Sequence, residues 1–125
     1  MITHLKFVGI PTRNQDAALA FYTEKLGFKV VTDQPMGPKQ RWIELRVGTS
    51  DSRVVLFTPD GHEDRIGTQF NGAFACDNVE ATYAELSARG VEFTGPVMRP
   101  EDGPPPMVFF LDQDGRRFLL VERDD

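Results

Sequence analysis

Cysteine is almost missing from this chain: Cys76 is the only one among 125 residues, which excludes an intrachain disulfide and a thiolate metal cluster. It sits in an apolar alternating run, as an inert buried thiol would. Histidine is scarce as well, with only His4 and His62, so imidazole chemistry has few places to start. No apolar run approaches the roughly 18 residues of a membrane span. The segment Met1-Ile2-Thr3-His4-Leu5-Lys6 also lacks the apolar stretch of a signal peptide, and the expected address is the cytoplasm. Clustered positive charge is missing too. The 14 Lys and Arg are scattered and outnumbered by 19 Asp and Glu, giving a net charge of -5 and a pI near 5.0. Binding to a phosphate backbone is driven by clustered cations, so neither nucleic acid nor a membrane is expected as a partner.

What is present is a repeat. Residues 7–58 read as strand, helix opening at Asn14-Gln15-Asp16-Ala17, Gly27, then three short strands ending at Val54-Val55-Leu56-Phe57. Residues 70–123 read the same way, with a helix opening at Asn78-Val79-Glu80-Ala81, then Gly90, then three strands ending at Phe118-Leu119-Leu120-Val121. The offset is 63 to 64 residues. A repeat of this length is one supersecondary unit used twice, and neither copy could bury its apolar face alone. The expectation is one domain, residues 1–125, with a first module of about 1–60 and a second of about 68–125.

Helical spacing puts Ala18, Leu19, Tyr22 and Leu26 on one stripe, and Val79, Thr82, Tyr83 and Leu86 on another. Asn78 reads as an N-cap, while Gly27 and Gly90 stop their helices. Strand alternation then sorts the remaining residues by face. Ile43, Leu45 and Val47, with Val8 and Ile10, Val55 and Phe57, Phe74 and Cys76, Val108 and Phe110, and Phe118 and Leu120, are assigned to the helices. The opposite faces are mixed. They carry Phe7, Trp42, Glu44, Arg46, Leu56, Asn71, Met107, Phe109, Arg117 and Leu119, a composition that suits a ligand cavity. Gly48-Thr49-Ser50-Asp51-Ser52 and Asp112-Gln113-Asp114-Gly115 read as hairpin turns. The Gly- and Pro-rich segment from Gly95 to Pro106 reads as a stiff, irregular loop that could serve as a lid.

The doubled β-α-β-β-β unit, Phe21-Tyr22 followed by Leu26-Gly27-Phe28, and the late Asp112-Gln113-Asp114-Gly115 turn before Leu119-Leu120-Val121-Glu122 together resemble the vicinal oxygen chelate superfamily. That group includes glyoxalase I, bleomycin resistance proteins and extradiol dioxygenases. The resemblance covers nearly the whole chain. It implies an α+β fold in which two tandem βαβββ modules form a curved, mixed and mainly antiparallel sheet around a cavity. It also implies a homodimer that completes its cavities across subunits. In metal-using members each module supplies two His or Glu ligands, from its first and last strands. Alignment places those positions on Phe7, Asn71, Leu56 and Leu119, and hydrocarbon side chains with one amide cannot hold a divalent metal. Neither His4, the His62-Glu63-Asp64 cluster nor Glu122 is expected to restore the site.

Three functions stay open from the sequence. One is a metal-independent binding protein similar to the bleomycin resistance branch, using Phe7, Trp42, Met107 and Phe109 for stacking, Glu44 to attract a cation, and Arg46 and Arg117 to recognise a carboxylate or phosphate. Its expected ligand is a small molecule of cationic or aromatic character, and no cofactor is required. The second is a lyase or dioxygenase of the glyoxalase I or extradiol type using Zn, Ni, Mn or Fe. A metal-free variant of it would use Glu44 as a general base with a raised pKa. The third is a purely structural or regulatory domain with a vestigial cavity, in which Trp42 is packed core and Glu44, Arg46 and Arg117 are a wetted cross-strand charge set.

Overall fold

Asn14 and Asn78 cap the two helices in the same way. Each side-chain carbonyl accepts a backbone N–H three residues on, from Ala17 at 3.0 Å and from Ala81 at 2.9 Å. This satisfies one of the donors that a helix start leaves without an intrahelical partner. In the computed structural model, which describes residues 1–67, 72–101 and 103–123, these caps open α1 (Gln15–Ala20) and α2 (Val79–Ala88). Gly27 and Gly90 follow with φ of 77° and 88°, backbone that a residue with a Cβ rarely adopts.

The first helix departs from its expected stripe. Phe21–Lys25 form a wide π-type turn in which Leu26 N donates to Phe21 O at 3.3 Å and Phe28 N to Tyr22 O at 2.9 Å. The wider turn brings two consecutive residues inward, Phe21 at 7% and Tyr22 at 0% exposure. Leu19 and Leu26, expected beside them, are only half-buried. In α2 the expected stripe holds, with Val79 and Leu86 buried and Thr82 and Tyr83 half-buried.

Two four-stranded sheets follow. One contains β1 (Val8–Pro11), β2 (Lys29–Pro35), β3 (Arg41–Arg46) and β4 (Arg53–Phe57), in the order β1-β4-β3-β2. The other contains β5 (Ala73–Cys76), β6 (Glu92–Phe93), β7 (Met107–Leu111) and β8 (Arg117–Glu122), in the matching order β5-β8-β7-β6. In each, the first strand pairs with the last in parallel and all other pairings are antiparallel. The mixed, mainly antiparallel βαβββ architecture is therefore present twice. Two compact units, Met1–Ile66 and Gly67–Asp125, contain one sheet each.

The first unit's core is Ile10, Ala18, Tyr22, Ile43, Leu45 and Leu56, all fully buried. The second centres on Phe110 and Phe118, with Phe74 5.1 Å from Phe118 between ring centroids. Tyr83 of α2 lies 4.4 Å from Phe93, which in turn lies 6.1 Å from Phe110, so α2 covers this face of the sheet. Both expected hairpin turns form. The loop after β6 is pinned by reciprocal Met98–Met107 backbone bonds of 2.7 and 3.0 Å and by an ion pair from Arg99 to Glu80 of α2.

Candidate ligand-binding faces

Register decides which side chains look away from the helices. β3 pairs with β4 as Ile43↔Leu56, Glu44↔Val55, Leu45↔Val54 and Arg46↔Arg53, and β1 lies beside β4 as Gly9↔Val55 and Ile10↔Leu56. Directly paired residues share a face. Leu56 therefore belongs with Ile10 and Ile43 in the core, while Val55 and Phe57 turn to the other side. The expectation that Leu56 lines the ligand face, and that Val55 and Phe57 meet the helix, is corrected. The run Val54-Val55-Leu56-Phe57 is apolar at every position, so its alternation carries no phase of its own. The repeat is corrected with it. Gly9↔Val55 has its counterpart in Ala73↔Leu119, so Val55, not Leu56, is the equivalent of Leu119.

The helix-free face of sheet 1 assembles Phe7, Gly9, Trp42, Glu44, Arg46, Arg53, Val55 and Phe57. Phe7 and Trp42 meet edge to face, with centroids 5.5 Å apart at 80°, a favoured aromatic geometry. Both stay half-buried. Beside them Gly9 leaves room for the Phe57 ring, since a Cβ at Gly9 would sit 3.0 Å from Phe57 Cε1. Val47, expected on the opposite face, lies just past β3 and closes the turn by donating to Ser52 O at 2.9 Å.

Glu44 is 4% exposed and its carboxylate is already occupied. Arg53 donates to Oε2 at 2.6 Å and Trp42 Nε1 to Oε1 at 3.3 Å. The Arg53 hydrogen bond holds the Glu44 carboxyl below the usual glutamate range, outweighing burial, with Trp42 and the Lys6 charge acting in the same direction. A raised pKa, which a general base would need, is the opposite of what this environment produces. The ion pair also leaves Glu44 little charge with which to hold a cation.

A pH-dependent stability follows. The folded protein binds the Glu44 proton less tightly than the unfolded chain, so the stabilisation is complete above the ordinary glutamate value, about 4.3, and is lost as pH falls through the lower folded value. Glu44→Gln is expected to cost about 1–2 kcal/mol near neutrality, the worth of one charge-assisted bond to a partly exposed Arg. The gap between variant and parent should close in acid. Urea unfolding of both proteins at about pH 7 and about pH 3 measures this, and an equal gap at both would show that the Glu44 charge is not what stabilises.

On sheet 2, the pairs Phe109↔Leu119, Met107↔Val121 and Leu111↔Arg117 place Met107, Phe109, Arg117 and Leu119 on one helix-free face, as expected. Ala73 and Ala75 share it and are exposed. The Arg117 guanidinium carbon sits 4.3 Å from the centroid of Phe109, a cation–π contact that masks the ring. Asn71 lies outside the described residues.

The donors available do not fit the metal of the vicinal oxygen chelate pattern. Phe7, Val55 and Leu119 are hydrocarbon at the matching positions, and among the described residues no group of three His, Cys, Asp or Glu converges. His4 is exposed and hydrogen-bonded to Thr3 Oγ1 at 3.0 Å. His62 is exposed at the start of the short helical turn Glu63–Arg65, and Glu63 Oε1 accepts from Gly61 N at 3.1 Å. Glu122 pairs with Cys76 on the helix side, and its Oε1 accepts from Val79 N at 2.9 Å, capping α2. Burial pushes the Cys76 thiol up, away from the reactive thiolate.

Sequence reasoning missed Lys29, Gly9, Arg53, Val55 and Phe57. Counting back from the Ser50 turn would have found Arg53 opposite Arg46, had the hairpin register been fixed first.

Residues 2–120 match the Glyoxalase/Bleomycin resistance protein/Dioxygenase superfamily. The protein YetH of Bacillus subtilis (strain 168) is 33% identical over 122 residues, covering 98% of this chain and all of that protein. A member of the same superfamily from Sphaerobacter thermophilus DSM 20745 superposes with a TM-score of 0.87 at 30% identity, with 98% of each chain covered. TnmS3, an antibiotic binding protein from Streptomyces sp. CB03234, does so with a TM-score of 0.82 at 29% identity and the same coverage. With the two βαβββ units, their matching strand orders and a match over nearly the full length, this chain belongs to the glyoxalase/bleomycin resistance protein/dioxygenase superfamily.

Proposed function

We propose that this protein binds a small, ring-bearing organic molecule without a metal, using the helix-free face of sheet 1. The observation that carries this reading is the half-buried Phe7–Trp42 pair beside Gly9 and Phe57. Rigid rings held by one another offer stacking area at little entropic cost. Phe109, Met107 and Leu119 give the second sheet a similar apolar face. TnmS3, with the same architecture, is an antibiotic binding protein, which favours binding over turnover. The same reading makes the protein a cytoplasmic homodimer, in keeping with exposed Ile2, Leu5 and Val8 and a single cysteine.

Two titrations test it. Trp42 is the only tryptophan, so its fluorescence reports directly on this face. N-phenyl-1-naphthylamine, a neutral aromatic probe, is expected to quench it saturably, and the Trp42→Phe variant, followed by the probe's own emission, should keep its fold but bind the probe more weakly, by about tenfold. Calorimetric addition of Zn²⁺, Ni²⁺, Mn²⁺ or Fe²⁺ to chelator-treated protein should give no stoichiometric heat. One tightly held ion per chain would overturn the reading in favour of a lyase or dioxygenase of the glyoxalase I or extradiol type.

A further inference from the structure

The charge on the sheet 1 face is not distributed as the composition suggests. Lys29 pairs with Arg46, and Arg46 with Arg53, so one row across β2, β3 and β4 carries a cation on every strand. In a chain of net charge -5 this row has one anion on its own face among the described residues, Glu44, and that carboxylate is bonded to Arg53. Asp33, the nearest other acid on β2, pairs with Ile43 on the core side and is held by Arg41. Lys29 and Arg46 are exposed.

Like charges placed directly opposite one another destabilise a sheet. Two such juxtapositions in succession cost stability, which the Arg53–Glu44 ion pair offsets on one of the three strands. Neighbouring strands lie about 4.8 Å apart, so the three heads can reach one small oxyanion together. A guanidinium has five N–H donors, so Arg53 can serve Glu44 and still contribute. Along β3, Trp42 stands four residues from Arg46 on the same face, roughly 13 Å at strand rise. The cations therefore flank one end of a strip whose other end is aromatic.

We propose that the ligand is an aromatic oxyanion, a carboxylate, phosphate or sulfonate on a ring system, with its anion seated on the Lys29–Arg46–Arg53 row and its rings against Phe7 and Trp42. This rests on the proposed binding face and names the class of molecule it takes. It also reverses the cationic ligand expected from Glu44, because Arg53 already neutralises that side chain and two further cations lie beside it. Glu44 instead orients Arg53 by fixing one of its N–H groups.

The test compares two probes sharing one anilinonaphthalene scaffold: 8-anilinonaphthalene-1-sulfonate, which is anionic, and N-phenyl-1-naphthylamine, which is neutral. The sulfonate is expected to bind about tenfold tighter or better, and to lose that advantage as salt is raised. Lys29→Gln/Arg46→Gln should bring the sulfonate down to the affinity of the neutral probe and leave the neutral probe unchanged. Because both residues are exposed and face like charges, the double variant is expected to unfold at the same or a higher urea concentration than the parent. A merely structural role would lower it. Equal affinity for both probes, or a sulfonate affinity indifferent to the double substitution, overturns the oxyanion site while leaving the binding face standing. Failure of both probes to quench Trp42 overturns the binding face, and the oxyanion site with it.

Discussion

Asp112→Ala is expected to destabilise the protein by about 3–4 kcal/mol, the largest single effect foreseen. Asp112 Oδ1 accepts backbone N–H groups from Asp114 and Arg116, each at 2.9 Å, and these bonds form the turn between β7 and β8. Its Oδ2 lies 3.8 Å from Nε of Arg116, which is 1% exposed. Alanine removes the acceptor of two backbone N–H groups together with one counter-charge beside a buried guanidinium, and stripping compensation from a buried charge is among the costlier changes a fold can suffer. Asp112→Asn separates the two contributions. Its amide oxygen still accepts both N–H groups, so a cost of about 1–2 kcal/mol would isolate the charge. Urea unfolding of the three proteins measures it, and an alanine variant within about 0.5 kcal/mol of the parent would show that the turn is held by other means.

Gln15→Ala should cost about 3 kcal/mol, through three backbone groups. The Gln15 amide Nε2 donates to Arg41 O at 2.8 Å and Leu56 O at 2.9 Å, and its Oε1 accepts from Arg41 N at 3.1 Å. One side chain thus ties the start of α1 to β3 and β4 together, and Leu56 is fully buried, where water cannot replace the lost donor. Gln15→Glu is the sharper variant. Its shape is retained, but at neutral pH it turns a carboxylate oxygen toward two carbonyls, so it should be at least as destabilising as alanine and recover in acid as the carboxyl gains a proton to donate. A glutamate variant as stable as the parent at neutral pH would remove this account of the residue.

These two residues differ in how visible they were. The Asp112-Gln113-Asp114-Gly115 run announces a turn, and Gly115 takes φ of 78° there. In the sequence Gln15 is only part of the segment that opens the first helix, because its three partners lie 26 and 41 residues away. Similarly, strand alternation separated Leu119 from Phe118 and Leu120 correctly, since Arg117 marks one face of β8 as polar, and the pairing Phe109↔Leu119 carries that face onto β7, which is apolar throughout. It misassigned β4 because four consecutive apolar residues look alike in either phase.

Local chemistry therefore settled what local chemistry can reach. The duplicated βαβββ order, the Asn78 cap, the glycine stops, both hairpin turns and the hydrocarbon character of the metal-equivalent positions Phe7 and Leu119 are all properties of short segments. The tertiary structure decided the rest: Val55 in place of Leu56 on the helix-free face, Phe21 turned inward by a π-type turn, Glu44 neutralised by Arg53, and Lys29, Arg46 and Arg53 aligned across three strands. Each of these depends on cross-strand register or a widened helical turn. Register is fixed by hydrogen bonds between distant segments, and a slip of one residue exchanges the two faces of a strand.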